Sequence, residues 1–379
     1  MTRILHRRFG HMHTVLVQCA ALVGVLIVSS KASAADQDLL TIQAAAESGV
    51  VHKQIELGSA YVMGHGVAQD LRLAAYWFQK AAEKGDPAAQ NMIGYFYQTG
   101  LGVTRDPERA VHWYQLASAN GSVIGKVNLG VAYLWGSGVS KNPEVAALLL
   151  QEAAKKGSGS AACYLGYMSY SGFGIKQDRA HAERWYRIGV RLHDPLSEFA
   201  LGTLLSVNDG HPHDIPQAVD LLRKSADAGF VPAMYSLGLL LVNDPDRARS
   251  PQEILALLDK ATEAGMWKSS VIQGVLARDG KLVPLDSKSA YLHFRIAALQ
   301  GGSVGESVVH NDIMVLSAKL GPEEAANLDS EASAWVREHH TVLEIIPKDS
   351  TKWDRLSGYA LSVPDDGDHA GAMIPMPQF

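Results

Sequence analysis

Residues 86–121 read DPAAQNMIGYFYQTGLGVTRDPERAVHWYQLASANG, and the way this stretch divides decides the fold. Pro87 stands where a helix can begin, at a position whose N–H has no intrahelical acceptor to lose. An apolar-rich run follows to Gln98. Gly100-Leu101-Gly102 then breaks it, because glycine takes the positive φ angles of a tight turn without steric cost. Asp106-Pro107 opens a second helix, a capping carboxylate ahead of proline, and Gly121 closes it in the left-handed position that ends helices. The stretch reads as two helices joined by a glycine turn.

The same pattern returns along the chain every 36 residues. Glycine stands at Gly58, Gly94, Gly130, Gly166, Gly202, Gly238 and Gly274, and a second column runs Gly49, Gly85, Gly121, Gly157, His193, Gly229, Gly265 and Gly301. A fixed period of this size marks a stacked repeat array, which grows by adding units rather than by enlarging one core. The cap position holds Asp70, Asp106, Asn142, Asp178, Asp214, Ser250 and Asp286, all able to accept from exposed helix N–H groups. Four residues on come Ala74, Ala110, Ala146, Ala182, Ala218, Ile254 and Ala290; seven on come Trp77, Trp113, Leu149, Trp185, Leu221, Leu257 and His293. Small and bulky columns at these offsets define an amphipathic second helix. Glycine inside the first helix costs about 1 kcal/mol relative to alanine. Its recurrence predicts close approach of a neighbouring helix that a Cβ would block.

Segments such as AQNMIGYFYQTGLGVTRDPERAVHWYQLASANG and AACYLGYMSYSGFGIKQDRAHAERWYRIGV resemble Sel1-like repeats, relatives of tetratricopeptide repeats. The resemblance covers about residues 50–301 as seven units. Ordinary tetratricopeptide repeats have a 34-residue period and lack the Gly-x-Gly turn. The resemblance implies an all-α fold, a right-handed α-solenoid of stacked antiparallel helix pairs. Units five and six depart from it, reading SVNDGHPHD and LVNDPDRARS where Gly-x-Gly should stand. It also implies a non-enzymatic scaffold; exported Sel1-like proteins often serve envelope assembly, exopolysaccharide production or its regulation, or host contact. The disulfide-rich relatives linked to β-lactams carry paired cysteines within each repeat. This chain has two cysteines in all, so that activity is not implied.

The ends are read separately. Residues 1–34 form an export signal: Arg3, Arg7 and Arg8 precede an uncharged, mostly apolar run from Thr14 to Ser30, and Ala32-Ser33-Ala34 supplies the small-x-small cleavage pattern. Cleavage before Ala35 predicts a periplasmic or secreted protein of bacterial type with no integral membrane segment left; an uncleaved anchor is the alternative. Residues 35–49 are expected as an N-terminal capping helix, 302–340 as C-terminal capping helices and 341–379 as a flexible tail. Cys19 leaves with the signal, and Cys163, in a mostly apolar column, is expected as a buried structural thiol.

The formal net charge is −5, and −9 without the first 34 residues, which hold Arg3, Arg7, Arg8, Lys31 and no acid. A phosphate backbone demands clustered Lys and Arg, so nucleic acid is excluded as a partner. The sequence carries no H-E-x-x-H, Gly-x-Ser-x-Gly, phosphate-binding Gly-Lys loop or CxxC, and neither a catalytic site nor a cofactor is expected. Asp209-Gly210-His211-Pro212-His213-Asp214 has zinc-ligand types, but His211 lies in the column of Val67, Val103, Val139 and Ile175, and Asp214 is a helix cap. The candidate partner-binding set lies on the concave face, where columns vary from unit to unit: Met92, Tyr95, Asn128, Val131, Trp135, Tyr164 and Tyr167. Aromatic residues on a shared face suit interface anchors for a protein or peptide; packing between adjacent repeats is the other reading. A second functional reading is an envelope carbohydrate-binding subunit or enzyme, with exposed Tyr and Trp stacked on a polysaccharide.

Overall fold

The computed structural model describes residues 34–207 and 213–339. The expected export signal and tail, and Asp209 to Pro212 of the histidine cluster, lie outside the described residues. The described chain is all-α. In a first unit, up to Arg105, stand α1 (Ala34–Glu47), α2 (Val51–Met63), α3 (Leu71–Glu83) and α4 (Pro87–Thr99). A second unit begins at Asp106 with α5 (Pro107–Ala119), α6 (Val123–Trp135), α7 (Pro143–Lys155), α8 (Gly159–Ser171) and α9 (Arg179–Arg191). It continues with α10 (Pro195–Ser206), α11 (Ile215–Asp227), α12 (Val231–Asn243), α13 (Pro251–Glu263), α14 (Trp267–Asp279), α15 (Ser287–Leu320) and α16 (Pro322–His339). Even-numbered helices from α2 to α14 open the repeats and odd-numbered ones from α3 to α15 close them. Within each unit every helix packs on its neighbours in the chain. No described helix is long and apolar enough to cross a membrane.

Local chemistry sets the boundaries. Each closing helix has its side-chain cap in place: Asp70, Asp106, Asn142, Asp178, Asp214, Ser250 and Asp286 all accept from N–H groups of the first turn. Four opening helices are capped as well, by Asp86, Ser122, Ser158 and Asp194. The turns between helices hold Gly100 and Gly102 at φ 79° and 65°, the left-handed region that glycine enters freely. Unit six, lacking this pair, turns through a short 3-10 segment at Pro245–Arg247 instead. Unit seven keeps Gly280 but sets Leu282 at φ 63°, a strained choice for a branched side chain.

The glycine column has the cause its recurrence predicts, a neighbouring helix close enough to meet a Cβ, and the structure names the groups that approach. Six of the seven glycines face a large side chain of the closing helix in their own repeat, twenty residues on. A Cβ built at Gly58 lies 2.9 Å from the Phe78 ring, at Gly130 3.0 Å from Leu150 and at Gly274 2.6 Å from the Phe294 ring. Gly166 under Tyr186, Gly202 under Leu222 and Gly238 under Leu258 repeat the arrangement. Phe78, Tyr114, Leu150, Tyr186, Leu222, Leu258 and Phe294 are thus the central core column, all buried. The sequence reading gave that place to the preceding column. Of those seven only Leu221 is buried; Trp77, Trp113, Leu149, Trp185, Leu257 and His293 are half-buried at the edge of the helix pair.

Gly302, at φ 56° and ψ −143°, divides α15 into two arms. Lys319 Nζ donates to Ser287 Oγ at 2.8 Å, so residues 303–320 run back along residues 287–301. The helix α16 then returns beside the first arm, held by Lys288–Glu324 at 2.8 Å and Arg295–Asp329 at 2.7 Å.

Candidate functional site

The seven side chains expected to face a partner are mostly inside the protein. Met92, Tyr95, Asn128, Val131, Tyr164 and Tyr167 are between 1% and 5% exposed, and Trp135 is half-buried. Val131, Tyr164 and Tyr167 belong to one apolar cluster with Leu201, Leu204 and Leu205, and Trp135 packs on it. The Trp135 ring on α6 lies 5.6 Å from the Tyr167 ring on α8, the opening helix of the next repeat. These columns are therefore stacking surfaces between repeats, and the packing reading replaces the groove reading for them. Burial also pushes the Tyr95 and Tyr164 phenols far up, so both stay neutral. Periodicity could not separate the two readings, because a stacked face and a binding face recur at the same positions.

A cavity open to solvent lies elsewhere, between α9 and α11 over α10. It holds about 340 Å³ and is lined by Arg187, Val190 and Arg191 of α9, Leu201 of α10, and Gln217, Asp220, Leu221 and Lys224 of α11. Its floor is apolar: Leu201 and Leu221 are buried and Val190 is half-buried. Its rim is basic. Arg191 and Lys224 are exposed, while Arg187 is held by Glu183 one turn back at 2.7 Å. Asp220, the one acid in the lining, sits 3.6 Å from Arg223, which bonds Glu253 of α13 at 2.9 Å. Lys224 also acts on Glu198 of α10, whose carboxyl burial pushes up from its usual range. The sequence reading passed over this place, although its signal is legible: α9 carries Arg179, Arg184, Arg187 and Arg191 against Glu183 alone, in a chain of net charge −5.

Other candidates resolve into structure. Cys163 is fully buried, and burial raises its thiol well above the ordinary range, with Asp194 adding to the effect, so it is an inert core group. Asp214 accepts from Gln217 N at 3.0 Å, which gives this part of the histidine cluster its capping role. No group of three or more His, Cys, Asp or Glu among the described residues is placed to hold a metal.

With the helix pairs and the cavity defined, relatives can be compared. The Sel1 repeat profile matches residues 54–86, 87–122, 125–158, 159–194, 195–230 and 274–302, more than half of the chain. The chain belongs to the Sel1 repeat family. The six matched segments pass over residues 231–273, the unit whose turn lacks both glycines, yet α12 and α13 keep the helix pair there. A Sel1 repeat protein from Oxalobacter formigenes is 26% identical over 66% of this chain and 99% of its own, with a TM-score of 0.55. A protective antigen of uropathogenic Escherichia coli displaying an SLR fold is 23% identical over 86% of this chain and 75% of its own, with a TM-score of 0.43. No curated protein matches the sequence.

Proposed function

We propose that this Sel1 repeat chain is an exported, non-enzymatic scaffold that holds an acidic, apolar peptide segment of a protein partner between α9 and α11. The cavity carries the reading. About 340 Å³ over Leu201 and Leu221 accommodates one or two apolar side chains, and Arg187, Arg191 and Lys224 around it favour carboxylates beside them. The lining holds no serine, cysteine or histidine that would serve as nucleophile or general base. Export rests on the order of Arg3, Arg7 and Arg8, the apolar run and Ala32-Ser33-Ala34. A polysaccharide ligand has less support, since stacking needs exposed rings and Tyr76 is the one exposed aromatic side chain among the described residues.

Fluorescent peptides with a leucine or phenylalanine between aspartates, and the same peptides with lysines, test the proposal. The acidic set should bind and the basic set should not. Arg191→Glu with Lys224→Glu should weaken binding by about tenfold or more, and added salt should weaken it further. Equal binding of both sets, or indifference to both substitutions, would remove the cavity as the site.

A further inference from the structure

Glu198 of α10 stands where the first two repeats place a hydrogen-bond donor. Its column opens with Gln54 and Gln90. Gln54 Nε2 donates to Ala46 O at 3.0 Å and Gln90 Nε2 to Ala82 O at 3.2 Å, each eight residues back at the end of the preceding helix. Those two carbonyls also accept the amide of the turn glycine, Gly49 at 3.0 Å and Gly85 at 2.9 Å. The fifth repeat keeps this turn: Val190 O accepts from His193 N at 3.0 Å, with His193 at φ 55° in the glycine's place. Glu198 follows Val190 by the same eight residues and is 6% exposed. Its carboxyl makes no hydrogen bond or ion pair among the described residues. A carboxylate has no proton to give a carbonyl, whereas a carboxylic acid has one.

The same face of α10 reaches the cavity. Leu201, one turn past Glu198, lines it together with Val190, Arg191 and Lys224. Lys224 of α11 attracts the Glu198 carboxylate, Asp194 opposes it and His193 adds to the attraction. Asp220, also on α11, sits 3.6 Å from Arg223, and Arg187 of α9 is already on Glu183. The other helices packed on α10, α8 and α12, carry no acid, lysine, arginine or histidine. Burial outweighs Lys224 and pushes the Glu198 carboxyl up. On the reading of the cavity as a site for acidic peptides, on which this inference rests, we propose that Glu198 is its proton switch. Ionised, it competes with the ligand for Lys224; protonated, it donates to Val190 O and leaves Lys224 to the ligand's carboxylate. Binding therefore tightens on acidification.

A fluorescent peptide with blocked ends and a leucine between two cysteates tests this, because its sulfonates stay ionised from pH 7.5 to 5. The host is the full chain with His193→Asn, which removes the neighbouring imidazole and suits a left-handed φ. Its affinity should rise about fivefold between those two pH values. Glu198→Gln, which carries a permanent donor as Gln54 and Gln90 do, should bind at pH 7.5 as tightly as the host at pH 5, with no further rise. Carboxyl-detected NMR reads the switch directly: the Glu198 midpoint should move up in Lys224→Met, and also on adding the peptide to the host. A pH dependence that survives Glu198→Gln, or a midpoint indifferent to Lys224→Met and to bound peptide, would overturn the switch and leave the cavity reading standing. No binding of the peptide by any of these chains at either pH would remove the cavity reading and the switch together.

Discussion

His293 occupies a column otherwise filled by Trp77, Trp113, Leu149, Trp185, Leu221 and Leu257, and it answers to that apolar setting. Burial moves its imidazole from 6.5 down to about 4, and Nδ1 lacks a hydrogen-bond partner. The folded protein therefore holds this histidine neutral where the unfolded chain would protonate it. The stabilising contribution is complete above pH 6.5 and is lost as pH falls towards 4. On the order of 2 kcal/mol should disappear across that window. Lowered carboxylates such as Glu152, Asp178 and Asp279 lose their contribution mainly below that window, whereas Glu198 and Asp259, whose carboxyls burial raises, work against the slope as pH falls, so the comparison with a His293 variant isolates the histidine. Chemical denaturation between pH 7 and 4.5 should show the slope in the native chain. His293→Leu, the residue its column uses elsewhere, should flatten it; an unchanged slope would assign acid sensitivity to other groups. The column that predicts a hydrophobe at this position is legible in sequence. Its strong desolvation is not, because that depends on how closely the neighbouring helices meet.

At the scale of the element, the repeat is a glycine on the opening helix set under a large side chain on the closing one. The pairs are not equivalent. Leu150 can turn or shift away from a Cβ at Gly130, 3.0 Å off, whereas the Tyr186 ring over Gly166 is a rigid plane in closer contact. Alanine returns about 1 kcal/mol of helix propensity, and overpacking costs roughly 1–3 kcal/mol. Gly130→Ala should therefore be near neutral, and Gly166→Ala should destabilise by about 2 kcal/mol. Gly130→Val, with a second branch to place, should lower the melting temperature. Thermal unfolding of the three variants checks the order; equal effects at both alanine sites would show that ring rigidity does not matter here. The helix pairs, their turns and the closing caps could be read from sequence because each depends on a few adjacent residues. Asp106, for example, needs only Arg109 N within reach at 3.0 Å. The assignment of Tyr95, Tyr164 and Tyr167 to a binding face went astray because burial of a face is decided by the next repeat.

For the molecule as a whole, the binding reading requires the chain to reach the envelope, and the structure of α1 bears on how it would leave its signal behind. The helix begins at Ala34, and its described packing lies at the far end, where Ala46 is buried and its carbonyl accepts from Gln54 Nε2 at 3.0 Å. Cleavage before Ala35 would remove one residue of α1 and no contact of that end. It would place Asp36 and Asp38 in the first turn, where negative charge favours the helix dipole. A chain beginning at Ala35 should then match the full-length protein in helix content of the array. Its melting temperature should lie within about 2 °C of that of the full-length protein, a change of about ±0.5 kcal/mol or less. N-terminal sequencing of protein from the envelope fraction should read Ala-Asp-Gln-Asp. Recovery of Met1 in the membrane would make the apolar run an anchor for a scaffold facing the same compartment. Protein confined to the cytosol would remove the proposed setting altogether, leaving the cavity between α9 and α11 to be tested against cytosolic partners.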